Sequence, residues 1–425
     1  MPPGTAAIVA ELAGLLATRD LFYAAPDEPR AAVLAAALTL AVPDAAVLFC
    51  PSSDALPGDD APASPANVGQ RVSALREVRR LSSLEKRPHI AFVTTGEALG
   101  RLYPPPAAFD AAPPRVETGA AVDLAALHAE LQSIGYIVDE RVDEPGEVAL
   151  RGAVLDVYPA DAAAPLRIEA AEGKVAGIRI YDPADQRTTG TCDARELGRV
   201  SEPDLAGRGV TLVEHLPDAA VILPADADDR RRRFLGLAGD AQRQRGKRAI
   251  RDTASGAVWA KALGRHDRPM LTLDAAPAPR FVEAKRPMRA FADAARAAIE
   301  ASKRVVLIGS ERDLRFLSRR AAKALKTEVE AKASWAAVEK AKKGSVVSLV
   351  MPVDRGFESD RILAVAAADL LGSRAQIDAA GPGAADPAPF TLGEINVGDV
   401  VVHEDHGLAF VHGLAPMPAG DGDAI

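Results

Sequence analysis

The sequence predicts a multidomain protein of the α/β and α+β classes. A first α/β unit is interrupted by an inserted α+β unit, a further α/β unit follows, and a β fragment ends the chain. Three observations carry this. Residues 5–120 alternate apolar strand-like runs with helical spacing, the signature of a parallel α/β sheet. Residues 120–205 switch to short strands parted by Pro145-Gly146, Glu172-Gly173 and Asp182-Pro183, which is turn chemistry for an antiparallel meander. Beyond 206 the α/β pattern returns, up to an Ala/Gly/Pro/Asp-rich linker.

In chain order, Ala6 to Leu16 has helical spacing and Leu21–Ala24 is a short buried-strand run. Pro29 to Leu40 is helical again, Ala46–Cys50 is a second strand, and the Pro/Ser/Asp/Ala-rich 51–67 is a surface loop. Val68 to Leu84 is an amphipathic helix and His89–Thr94 a third strand. Pro104–Pro106 and Pro113-Pro114 mark a boundary, giving 1–119 as the first part of the first domain and 120–205 as the insertion. The insertion opens with a helix, Leu124 to Ile134. Residues 206–285 complete the first domain with a strand at Ala219–Leu223 and a charged helix from about Ala227. Residues 286–376 form the third α/β unit. Its elements are a helix to about Ala301, a strand at Arg304–Ile308, helices through the 310s and 330s, and strands at Ser345–Val350 and Ile362–Ala366. The linker is 377–390. Residues 391–425 start a β unit with strands Val400–Val402 and Leu408–Val411; a two-stranded sheet is not independently stable, so this unit reads as incomplete.

Composition excludes several functions. A net charge of −8 argues against a general nucleic-acid binder, though not against a local basic surface. Two cysteines are too few for a disulfide framework and fit a reducing cytoplasm. No apolar run is long enough for a bilayer, and the N-terminus lacks a basic leader. Aromatics are only 4%, so the cores must be built from Ala, Val, Leu and Ile. Trp259 and Trp335 sit in helical patterns as core residues. Cys50 ends an apolar strand with no histidine nearby, which argues against a catalytic thiol.

The candidate binding residues are few. Along 154–158, Val154, Asp156 and Tyr158 alternate with Leu155 and Val157. Arg151 and Arg167 are expected on adjacent short strands, two forked guanidiniums suited to a carboxylate-bearing protein surface, or else capping sheet carboxylates such as Asp156 and Glu169. Arg230, Arg231, Arg232 and Arg233, with the basic residues to Arg251, are a possible nucleic-acid surface or a solvated helix paired with Asp226, Asp228, Asp229 and Asp240. His403 and His406 share a turn without a third ligand, so no metal is expected there.

Four segments resemble, in order, the N-terminal half of the transcription-repair coupling factor (Mfd) family, whose inserted module is shared in weaker form with UvrB. They are Phe49-Cys50-Pro51 through Gln70-Arg71 to Leu75; Glu144 to Thr188, with Arg151-Gly152, Leu155 to Pro159 and Arg167-Ile168-Glu169; Gly356-Phe357 with Ile362 to Leu371; and Val397 to Gly407. The resemblance implies a degenerate UvrB-like α/β domain holding an inserted UvrA-binding-like domain, then the start of an RNA-polymerase-interacting domain. It implies UvrA contact at Arg151, Arg167 and the second of two aromatics, which are here Ala170 and Ala171. It also implies contact with the RNA polymerase β subunit by strand addition around Val401, Val402, His403 and His406.

Motor chemistry is not written in this sequence. No G-x-x-x-x-G-K-[ST] occurs, and the first strand runs into Ala25-Pro26-Asp27, where UvrB carries its phosphate loop. Proline lacks an amide donor and aspartate repels phosphate. The family's full-length members are ATP-dependent DNA translocases; this chain is expected to catalyse nothing, to need no cofactor, and to dock UvrA, linking stalled transcription to nucleotide excision repair. DNA contact would be weak or indirect. The alternatives are an α/β enzyme acting on a nucleotide or sugar phosphate, and a motorless regulatory relative.

Overall fold

The computed structural model describes residues 4–55, 63–203, 205, 209–245, 252–372, 375, 400–403 and 407–410. They belong to two compact units, residues 1–381 and 382–425.

In the larger unit the chain begins with α1 (Thr5–Leu16), β1 (Leu21–Ala25), α2 (Glu28–Ala41), β2 (Ala46–Phe49), α3 (Pro65–Ser82), β3 (Ile90–Thr95) and a short β4 (Leu102–Tyr103). The insertion contributes β5 (Arg115–Glu117), α4 (Leu124–Ser133), β6 (Ile137–Val138), β7 (Glu147–Arg151), β8 (Val154–Val157), β9 (Leu166–Ala171), β10 (Lys174–Tyr181), β11 (Thr188–Thr191) and β12 (Ala194–Glu196). The chain then returns through β13 (Val210–Thr211), β14 (Ala220–Ile222), α5 (Ala225–Arg245) and α6 (Gly256–Leu263). Last come β15 (Ala276–Pro277), α7 (Pro287–Glu300), β16 (Arg304–Gly309), α8 (Glu311–Leu325), β17 (Val329–Lys332), α9 (Trp335–Lys340), β18 (Val346–Val350), β19 (Phe357–Glu358), β20 (Ile362–Ala366) and α10 (Ala367–Leu371).

The first sheet runs β14-β1-β3-β2, all parallel, so β14 joins across the insertion. Its β1 and β3 are buried at every position, which is why they read as uninterrupted apolar runs. Helix α3 begins earlier than its apolar spacing predicts: Ser64 caps the Asn67 amide and Pro65 takes the first turn, where a missing N–H costs nothing. The third sheet runs β15-β19-β20-β16-β18-β17, with β16, β17, β18 and β20 parallel. Strand β17 has no apolar run because it is an exposed edge. Helices α1 and α2 lie between these two sheets: Leu12 and Leu38 share one core with Val93 of β3, with Val306 and Val347 of the third sheet and with Trp335 of α9. Trp259 and Trp335 are buried, as expected.

The insertion is a six-stranded sheet, β11-β10-β9-β8-β7-β6, antiparallel except for the β6–β7 edge. Helix α4 covers one face, where Leu127 and Leu131 pack on Val148, Leu155, Val157, Leu166 and Ile168. The insertion is tied to α3 by three polar contacts from outside its six-stranded sheet, Arg71 to Glu202 (2.6 Å), Arg76 to Glu196 (2.6 Å) and Ser73 to Asp161 (3.2 Å). Arg71 is buried and also donates to the Asn67 side chain and the Ser52 carbonyl.

Beneath the first sheet, His215 is buried edge-on to Tyr103 and Phe109. Burial pushes its imidazole down to about 4. The unfolded chain therefore takes up the proton first as pH falls. Stability is full above pH 6.5, declines from there to about 4 and levels off below, by up to about 3 kcal/mol. Denaturant midpoints should fall across that window, and His215→Phe, which keeps the aromatic packing, should flatten the slope.

In the smaller unit the described residues form one antiparallel hairpin, Val400–His403 with Gly407–Phe410, pairing Val401 with Ala409, Val402 with Leu408 and His403 with Gly407. His406 and the 377–390 linker lie outside the described residues, as does Val411, so the second strand is described one residue earlier than the apolar pattern suggested.

Candidate protein-docking site

The face of the inserted sheet opposite α4 is built by alternation. Leu155, Val157, Leu166 and Ile168 point to the α4 core, so Ala149, Arg151, Val154, Asp156, Arg167, Glu169 and Ala171 take the other side. At one end that side is closed: Val142, Ala149 and Tyr158 form a small cluster, and the buried Tyr181 donates its hydroxyl to the Val142 carbonyl at 3.1 Å. The other end is open. Both tight turns lie there. Glu172 (φ 52°) and Gly173 (φ 72°) form a two-residue turn with left-handed backbone at both positions, and Gly152 (φ 60°) opens the other.

Arg151 is the last residue of β7, beside that open rim, and is exposed. It forms no ion pair among the described residues. Arg167 is different. Register places it opposite Asp156, and its guanidinium grips that carboxylate with two bonds, 2.7 and 2.9 Å. The group also lies 4.8 Å from the Tyr181 ring centroid and donates to Gln186 at 3.4 Å. The Asp156 carboxylate beside it holds the guanidinium above its ordinary range. Arg167 thus satisfies the carboxylate-capping expectation. Ala171 is exposed on the open side, while Ala170 packs partly into the α4 core.

One expectation is corrected. Arg151 and Arg167 are not on adjacent strands: β8 lies between them, because the turn after Arg151 spends the next strand before β9 begins. With strands about 4.8 Å apart and a two-residue offset, their Cα atoms stand roughly 12 Å apart. The sequence also gave no sign of Arg179, which pairs with Glu169 at 3.1 Å on the same face. The open face therefore offers two cations without an ion pair among the described residues, Arg151 and Lys174, beside two neutralised pairs and the flat surfaces of Val154 and Ala171.

The other candidate residues fare less well. Arg230 pairs with Glu97 (2.7 Å), Arg231 with Asp228 (2.7 Å), and Arg232 with Asp228 and Asp229 (3.3 and 2.5 Å). Arg231 also stacks on Trp259. Only Arg233 of the four is left without a carboxylate among the described residues, so the ion-paired helix face is the arrangement this run adopts. Burial pushes the Cys50 thiol up to about 12, far from a thiolate nucleophile.

A cleft of about 1420 Å³ opens at the C-terminal ends of β1 and β14, where α/β sheets bind ligands. At the neighbouring N-terminus of α2, the Asp27 carboxylate itself accepts from the Arg30 amide at 2.9 Å. The place a phosphate would take on that helix already holds an anion.

Residues 115–199, which enclose this sheet and α4, match the UvrB interaction domain family. The chain resembles the N-terminal half of transcription-repair coupling factor. The transcription-repair-coupling factor of Bacillus subtilis (strain 168) is 29% identical over 165 residues, 39% of this chain and 14% of that protein. That of Myxococcus xanthus is 31% identical over 142 residues, 33% of this chain and 11% of that protein. That of Escherichia coli (strain K12) is 36% identical over 72 residues, 17% and 6% respectively. The matched stretch thus spans a seventh or less of each of these coupling factors. No helix among the described residues is long and apolar enough to cross a membrane.

Proposed function

We propose that this chain is a non-catalytic scaffold that docks UvrA through the open face of the inserted sheet, in the manner of transcription-repair coupling factor. The observation that carries the proposal is the position of Arg151: an exposed, unpaired guanidinium at the rim of the uncovered face of a UvrB interaction domain. A planar fork with all its donors free suits a partner carboxylate. In this reading Arg167 shapes the face by holding Asp156, and Ala171 supplies a flat contact where an aromatic anchor is absent. The division into 1–119 with 206–285, the 120–205 insertion and 286–376 belongs to the same proposal. So does contact of Val401, Val402, His403 and His406 with the RNA polymerase β subunit. The Asp27-filled α2 terminus supports the absence of nucleotide chemistry in this chain over the α/β-enzyme alternative.

Titration of the intact chain with UvrA tests the proposal. A complex at micromolar concentration is expected; no complex at that concentration would contradict it.

A further inference from the structure

A positive surface with unpaired arginines lies on the third sheet's helical layer, far in sequence from the Arg230–Arg233 run. A groove of about 360 Å³ lies between the start of α7 and the middle of α8. Arg286, Arg289 and Arg320 stand around it, and Met288, Leu317 and Leu371 form part of an apolar floor; no carboxylate among the described residues lines it. Arg286 and Arg289 form no ion pair among the described residues, and Arg320 lies 5.0 Å from the ring of Phe316, which is 49% exposed.

The groove continues into a basic helix face. Along α8, Arg312, Arg315, Arg319 and Lys323 are also exposed, as is Lys326 just beyond it; of the helix's two acids, Asp313 is buried and Glu311 is exposed at the first position. The N-terminal amides of α7 add a partial positive charge at the groove mouth. In a chain of net charge −8, this run of exposed cations makes a local positive surface that suits an anionic ligand.

We infer that the α7–α8 groove binds single-stranded nucleic acid. Phosphates run along the arginine rim, and an unstacked base lies on the apolar floor or against Phe316. A row of cations alone would suit any polyanion. The apolar floor and the exposed aromatic favour a strand whose bases are free to leave the stack, since base–aromatic stacking adds sequence-tolerant affinity. An acidic protein segment would use the cations and leave the floor empty.

The test is a fluorescence-anisotropy titration of the full chain with a labelled oligothymidylate of about 20 nucleotides, repeated at rising salt. Binding at low salt is expected. Its logarithm should fall against log salt with a slope of about 2–3, as for roughly three to four phosphates on a single strand. Arg289→Glu with Arg320→Glu should weaken it at least about 10-fold with an unchanged melting temperature, because both side chains are exposed. Phe316→Ala should weaken it about 5-fold. Arg232→Glu with Arg233→Glu should leave it unchanged. The inference is overturned by no binding at low salt, by an unaltered affinity in the α7–α8 variant, by duplex of equal length binding as tightly, or by polyglutamate competing better than the oligonucleotide.

Discussion

Arg167→Ala is expected to destabilise the inserted sheet by about 2–4 kcal/mol. The partner it abandons, Asp156, has a side chain only 5% exposed, and Arg167 is the residue that grips its two oxygens. Removing one member of a buried pair typically costs about 3–5 kcal/mol, because the remaining charge is left unsolvated; the 27% exposure of Arg167 lowers the expectation here. The Tyr181 stacking is lost as well. Arg151→Ala, by contrast, removes an exposed side chain with no partner and should change stability by less than about 0.5 kcal/mol. Chemical denaturation of the two variants, with amide exchange across β8–β10 to localise the effect, distinguishes them. Equal stability in both would mean that Asp156 is solvated and that Arg167 is free to bind. The two arginines that the family resemblance marks as equivalent contacts are thereby separated: loss of docking in Arg167→Ala would follow from a disturbed sheet, and only Arg151 reports on contact itself.

Gly69→Val is expected to cost about 3 kcal/mol, at the upper end of ordinary overpacking. Glycine inside a helix is itself unfavourable by about 1 kcal/mol relative to alanine, so its place in α3 needs a reason. The reason is the insertion: a β-carbon at Gly69 would stand 2.4 Å from that of Ala160 and 2.7 Å from the Ala160 carbonyl carbon. The backbone cannot give way without lifting the inserted sheet from α3. The contacts Arg71–Glu202, Arg76–Glu196 and Ser73–Asp161 would go with it. Limited proteolysis between 110 and 205, together with the thermal midpoint, should show the loosened insertion. Gly236 in α5 has open space around it, and Gly236→Ala should be neutral or stabilising. A Gly69 variant that melts like the parent would mean that the insertion is not seated on α3 as described.

What the sequence revealed and what it hid have physical causes. β1, β3 and β16 are buried on both faces, so their apolar runs were legible; β17, an exposed edge of Val329–Lys332, carried no such signal. The turns at Gly152 and Glu172-Gly173 set the meander and were readable as local chemistry. That an arginine could cap Asp156 was legible, but which one was not, because register decides it: Asp156 meets Arg167 through the loop after Tyr158, and β8 separates Arg151 from Arg167. The paired-helix alternative for the basic run was legible as well. Arg230–Arg233 stand together in sequence, yet helical spacing returns Asp228 and Asp229 to Arg231 and Arg232 and the fold brings Glu97 to Arg230. Arg286, Arg289 and Arg320 are scattered in sequence and meet only because α7 packs beside α8.

The central claim is that the open face of the inserted sheet docks UvrA through Arg151, and the most direct measurement is UvrA affinity of Arg151→Ala beside the parent chain, with melting curves run in parallel. An exposed arginine that acts as an interface anchor is expected to cost about 10-fold or more in Kd on truncation. The account predicts that loss at an unchanged melting temperature. An affinity equal to that of the parent would contradict it.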